Sequence, residues 1–138
     1  MNDCIFCKIV RGEIPSFKIY EDERVFAFMD INPIAEGHTL IIPKNHSENL
    51  WTISEKDLAA VHKASQKLIQ AIKTGVGAEG VAVLQLNGRS VGQEVMHYHV
   101  HLMPRKKGAP KLQATQWEMK PGDMDAVKVT AEKIAAAL

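Results

Sequence analysis

"HYHVHLMPR", residues 97–105, sets three of the chain's six histidines at every second position, with Tyr98, Val100 and Leu102 between them. Successive side chains of a strand point to opposite faces. His97, His99 and His101 therefore share one face, and the intervening apolar residues make a second face fit for a core. Neighbouring imidazoles so placed stand about 6 to 7 Å apart, too far to bond one another but close enough to surround a ligand or a metal. Three readings fit. An H-x-H pair can bind zinc or iron, one imidazole can attack phosphorus while its neighbours orient it, or the strand can simply be solvated. "GRSVGQ" (88–93), just upstream, favours phosphate chemistry, because glycines let a backbone approach a ligand and loop N–H groups cradle phosphate oxygens.

Working outward, "GVAVLQLN" (80–87) reads as the strand before that loop, and "MHYHVHLMP" (96–104) as the strand after it. "HTLIIP" (38–43) is a strand closed by Pro43, while "FKIYED" (17–22) and "RVFAFMDI" (24–31) form a hairpin. Near the N-terminus, "DCIFCKIVRGE" (3–13) suits a short helix capped by Asp3 and stopped by Gly12. A long helix starts at Ser54, a hydroxyl cap before an acidic first turn. Leu58, Val61, Leu68, Ile69 and Ile72 follow at helical spacing, and Gly75 and Gly77 end it. His62 falls on its polar face, and His38 starts a strand. "DMDAVKVTAEKIAAAL" (123–138) is Ala-rich and helical by propensity. The links between strands are mostly too short for parallel crossovers. The fold class is α+β: one domain over 1–138, an antiparallel sheet of about five strands with the long helix and the short N-terminal helix packed on it.

With 138 residues, 46% apolar and 24% charged, the chain is long enough to bury a core unaided. A net charge of +1 gives no reason to expect nucleic acid or an anionic membrane as a partner. No apolar run approaches the roughly 20 residues of a membrane span. The start lacks the basic and apolar regions of a signal peptide, so the expected location is the cytoplasm. The two cysteines, Cys4 and Cys7, are spaced C-x-x-C. In a reducing compartment that spacing means a metal, a redox pair or two small buried side chains. The redox reading lacks a preceding strand.

"GQEVMHYHVHLMPR" resembles the histidine triad (HIT) signature, H-φ-H-φ-H-φ-φ with φ apolar. "CIFCKIVRGEIPSFKIYEDERVFAFMDINPIAEGHTLIIPKNH" is similar to the N-terminal half of the same family, so the likeness spans roughly residues 4–105 and leaves the tail, 106–138, without a motif. The resemblance implies a homodimeric nucleotide hydrolase or transferase, cleaving at the α-phosphate of nucleoside phosphoramidates or dinucleoside polyphosphates. A nucleotidyl-histidine intermediate would form, and a nucleoside monophosphate, purine-based, would be released. By position His99 is the nucleophile, with His101 on the phosphate or leaving group and His97 completing the triad. Gln93, the Gly92 backbone and Asn87 would line the phosphate pocket. Asp30 and Ile31 would hold the ribose hydroxyls and pack the base, an acidic side chain accepting from both hydroxyls being a sound bidentate contact. Phe6 and Ile9 would wall the base pocket, or else pack in the core. Glu94 departs from the pattern, since Ser or Thr is common there and an ionised carboxylate repels a phosphate that a hydroxyl would contact.

For the C-x-x-C pair, His46 in "PKNH" and His97 are the candidate further ligands. Some bacterial relatives and the hexose-phosphate uridylyltransferases resemble this arrangement, which implies a closed, structural zinc site of Cys4, Cys7, His46 and His97. Two other functions stay open: a hydrolase whose histidines hold a catalytic zinc, and a nucleotide-binding regulatory or scaffold protein of low turnover.

Overall fold

The computed structural model describes residues 3–113, 116 and 118–138. Its elements run α1 (Ile5–Val10), β1 (Lys18–Glu21), β2 (Val25–Met29), β3 (Thr39–Pro43), α2 (Glu55–Val76), β4 (Gly80–Gln85), a 3₁₀ turn (Arg89–Val91), β5 (Val100–Arg105) and α3 (Met124–Ala136). The five strands form one sheet in the order β1-β2-β3-β5-β4, every pair antiparallel. This is the α+β sheet that the short connections predict.

Both faces of the sheet are covered over its middle, which explains why β2 and β3 read as nearly continuous apolar runs. Val25, Ala27, Ile41, Tyr98, Val100 and Leu102 pack under α2 against Val61, Ala64, Leu68 and Ile72. On the opposite face, Phe26, Phe28, Leu40 and Ile42 meet Phe6 and Ile9 of α1. Ser54 caps α2 by accepting from the Asp57 N–H, and Gly77, left-handed at φ 69°, closes it. Gly75 lies inside the helix.

Local differences from the sequence reading have simple causes. The cap of α1 is Cys4, whose Sγ accepts from the Cys7 N–H at 3.4 Å, and not Asp3. The last strand begins at Val100. His97 and His99 precede the ladder because their segment is held by other means, the Tyr98 N–H donating to the Ser47 carbonyl at 2.6 Å. Their side-chain alternation survives: Tyr98 faces α2 and the histidines face α1. Gly37, at φ +91°, stands where a Cβ would lie 3.0 Å from Pro104 and 3.2 Å from Val76, so only glycine fits the turn into β3. The helix α3 forms as expected, capped by Asp123, and buries none of its residues. Among the described residues, no helix is long and apolar enough to cross a membrane.

Candidate functional site

A cavity of about 450 Å³ opens on the α1 side of the sheet. Phe6, Ile9, Phe28 and Leu40 make its apolar wall, Asp30 and Ile31 its rim, and His99 and His101 its polar end. Gly92 and Glu94 close it from the loop after β4. Phe6 and Ile9 are also buried in the second core cluster, so packing and cavity lining are both true of them. Ile31 is 76% exposed, a flat apolar surface at the mouth.

The histidines are sorted by their hydrogen bonds. His99 Nδ1 lies 2.7 Å from the His97 carbonyl, which can only accept, so Nδ1 carries the hydrogen and Nε2 presents a bare lone pair. The rings of His99 and His101 both line the cavity. Burial lowers the pKa of His99, against the raising influence of the His97 carbonyl and Asp30. His101 is pushed down to about 4 by burial and by the neighbouring His99 and His38. With both pKa values below 6.5 the two rings are uncharged at neutral pH, the form in which an imidazole can act as a nucleophile. The rings of His99 and His101 are 4.9 Å apart between centroids, closer than ideal strand spacing, because the two lean together edge to face.

His97 belongs elsewhere. It is fully buried and sits outside the cavity lining, with Nδ1 3.4 Å from Cys4 Sγ and 3.6 Å from Cys7 Sγ. His46 Nδ1 reaches Cys7 Sγ at 3.4 Å. All four ligand atoms lie within 4.8 Å of one another. A zinc with bonds of about 2.3 Å to sulfur and 2.0 to 2.1 Å to nitrogen has tetrahedral S···N edges of about 3.5 to 3.6 Å. The observed separations fit that ion. His97 Nε2 meanwhile donates to the Pro43 carbonyl at 2.8 Å, leaving Nδ1 unprotonated, the outer contact that metal-bound histidines make. Burial and the adjacent Cys4 raise the Cys7 thiol above its ordinary pKa, a penalty that a bound cation would remove.

Two residues expected at the phosphate are not in the cavity lining. Gln93 is 2% exposed and saturated: its Oε1 accepts from the Gly88 N–H at 2.7 Å, and its Nε2 donates to the carbonyls of Glu48 and Val95. Its amide shapes the glycine loop from behind. Asn87 accepts from the Leu50 N–H and exchanges bonds with Gln85, tying the loop before α2 to the end of β4. The Gly92 N–H also donates inside the loop, to the Arg89 carbonyl. The residue that sequence reasoning missed is His38. Its Nε2 lies 3.0 Å from His101 Nδ1 and 3.4 Å from Asp30 Oδ2, and it is 3% exposed. Its sequence signal was only the strand onset in "GHTL". His62, on the polar face of α2, reaches Tyr98 Oη at 3.0 Å.

A HIT domain family model matches residues 11–108. The chain is 46% identical to Protein hit of Bacillus subtilis over 75% of its own length and 72% of that protein's. It is 42% identical to a Candida albicans adenosine 5'-monophosphoramidase over 98% of its own length and 91% of the relative's. A crystal structure from Streptococcus mutans superposes with a TM-score of 0.92 at 38% identity, covering 99% of this chain and 86% of that one. The triad and its setting in the sheet, with these matches, lead to one conclusion: the chain belongs to the HIT, or histidine triad, family.

Proposed function

We propose that the protein is a nucleotide hydrolase or transferase that cleaves nucleoside phosphoramidates or dinucleoside polyphosphates at the α-phosphate and releases a nucleoside monophosphate, with His99 as nucleophile on the α-phosphorus. The observation that carries this is the bond from His99 Nδ1 to the His97 carbonyl, which leaves Nε2 bare beside the cavity. In the first step Nε2 forms a bond to phosphorus, and the leaving group departs with its bonding pair and takes up a proton from solvent. In the second, water attacks phosphorus, the P–N bond breaks, His99 regains its lone pair, and the monophosphate and a proton are released. Phe6, Ile9 and Ile31 would hold the base and Asp30 the ribose hydroxyls. No lysine or arginine lines the cavity among the described residues, while Asp30 and Glu94 do. A polyphosphate leaving group finds nothing there to neutralise it, so phosphoramidates suit the site better than dinucleoside polyphosphates. The name of the Candida relative, a monophosphoramidase, supports the same reading.

A panel of both substrate types, assayed with the wild type and His99→Ala, tests it. Rapid quench of the wild type should trap an acid-labile, alkali-stable nucleotidyl-protein. His99→Ala should lose at least about 10³-fold in turnover and still bind monophosphate. A variant keeping a tenth of the activity would refute the assignment.

We infer further that Cys4, Cys7, His46 and His97 hold a structural zinc. The ion would tie α1 to the segment after β3 and to the triad, and would leave no position for water. A second inference is a two-fold homodimer across the free edge of β4, where Val83 is 51% exposed beside Ile69 and Gln66 of α2. Sedimentation at micromolar concentration should show the dimer, and monomer alone would contradict it.

A further inference from the structure

His38 is almost wholly buried, touches the triad only through His101, and stands outside the chemistry assigned to His99. Its surroundings determine where its hydrogen lies. The Ile34 backbone N–H donates to His38 Nδ1 at 3.2 Å, so Nδ1 must be the unprotonated nitrogen. The hydrogen of the neutral ring is then on Nε2. The Asp30 carboxylate at 3.4 Å from Nε2 favours the same choice independently. Facing this N–H at 3.0 Å is His101 Nδ1, which can only accept. His101, also neutral, therefore carries its own hydrogen on Nε2, in a ring that lines the cavity.

We propose that the Ile34 amide, acting through His38, fixes His101 in the tautomer that offers an N–H donor to the cavity, making His38 a positioning residue. An imidazole in water exchanges between two tautomers, and here the chain admits one. The consequence is a matched pair of adjacent rings. The His97 carbonyl turns His99 into a lone-pair donor, and the Ile34 amide turns His101 into a hydrogen-bond donor. In both cases a backbone group makes the assignment. The opposite tautomer of His101 would aim a lone pair at a phosphoryl oxygen, where charge of the same sign gathers in the transition state. The use made of this donor rests on the reaction proposed above; the tautomer itself does not.

Nitrogen-15 NMR of the imidazoles in the zinc-loaded, ligand-free protein tests the tautomer without any turnover. His101 should show hydrogen on Nε2 and a bare, hydrogen-bonded Nδ1 in the wild type. His38→Gln, whose amide can accept from Ile34 and donate to His101, should keep that pattern and keep kcat within about threefold. His38→Leu should show the second tautomer and lose about tenfold or more in kcat with KM moved less than about threefold, since the donor acts on developing charge. Asp30→Asn should leave the tautomer unchanged, because the amide alone suffices. Hydrogen on His101 Nδ1 in the wild type would overturn the proposal, as would a His38→Leu variant with the wild-type tautomer and kcat. The stated tautomers in a protein that cleaves no phosphoramidate would overturn the reaction and leave the relay standing.

Discussion

Two clusters of titratable side chains flank His99, and they are built on opposite principles. In one, Cys4, Cys7, His46 and His97 bring two sulfurs and two imidazole nitrogens to a common point, with the N–H of His97 turned away to Pro43 and its Nδ1 left bare. In the other, Asp30, His38 and His101 alternate donor and acceptor, starting from the Ile34 amide. Converging lone pairs repel unless a cation sits among them, whereas a donor–acceptor chain is complete as it stands. Proximity of histidines and acids therefore says little about metal binding until the direction of each hydrogen is worked out. On the proposed reading the two clusters would divide the labour: one would fix the frame around His99 and the other would orient His101.

The sharpest way to break that contrast is to remove the thiols. Cys4→Ser with Cys7→Ser should abolish a zinc content of about one per chain and lower the melting temperature by about 10 °C or more. Structural zinc contributes on the order of 10 kcal/mol of apparent binding energy in small sites. The rate per folded molecule should fall much less. Elemental analysis beside calorimetry checks it, and a metal-free wild type of unchanged stability and activity would refute the site.

Acid gives a smaller effect, directed at the other cluster. His101 folds with a pKa of about 4, below its ordinary 6.5. Between those values the unfolded chain binds a proton that the native ring refuses, so the stability associated with this group is whole above pH 6.5 and is lost as pH falls towards 4. Melting temperature should decline across that window, and His101→Asn should flatten the decline. An equal slope in the variant would mean that His101 is not the group responsible.

Least affected should be the far side of the same segment. Tyr98→Phe removes the bond to His62 and leaves both clusters untouched, at a cost of about 1 kcal/mol with kcat preserved. Loss of activity there would show that the two faces are not independent.

Sequence reading reached those features whose evidence is local. Alternation in 97–102 separates the two faces, Ser54 and the helical spacing place α2, and the C-x-x-C pair with His46 and His97 anticipates a cluster now seen assembled. Features that depend on distant partners were out of reach. His38 meets His101 across 63 residues, and one histidine opening a strand has no periodicity to betray it. Gln93 and Asn87 are polar residues beside glycines, which is equally the pattern of a phosphate loop and of a loop braced by amides. Only the partners of their side chains distinguish the two. The cap of α1 was misassigned because Asp3 is the better capping residue by type, yet the backbone turn begins one residue later, at Cys4.

Gly37 lends the site a mechanical boundary wider than its chemical one. A missing methyl group lets the turn before His38 nest against Val76 in the last turn of α2 and Pro104 near the end of β5. The long helix, the triad strand and the relay histidine thus meet at one incompressible joint. A disturbance that enters at the helix end or at the end of β5 therefore meets the turn that carries His38.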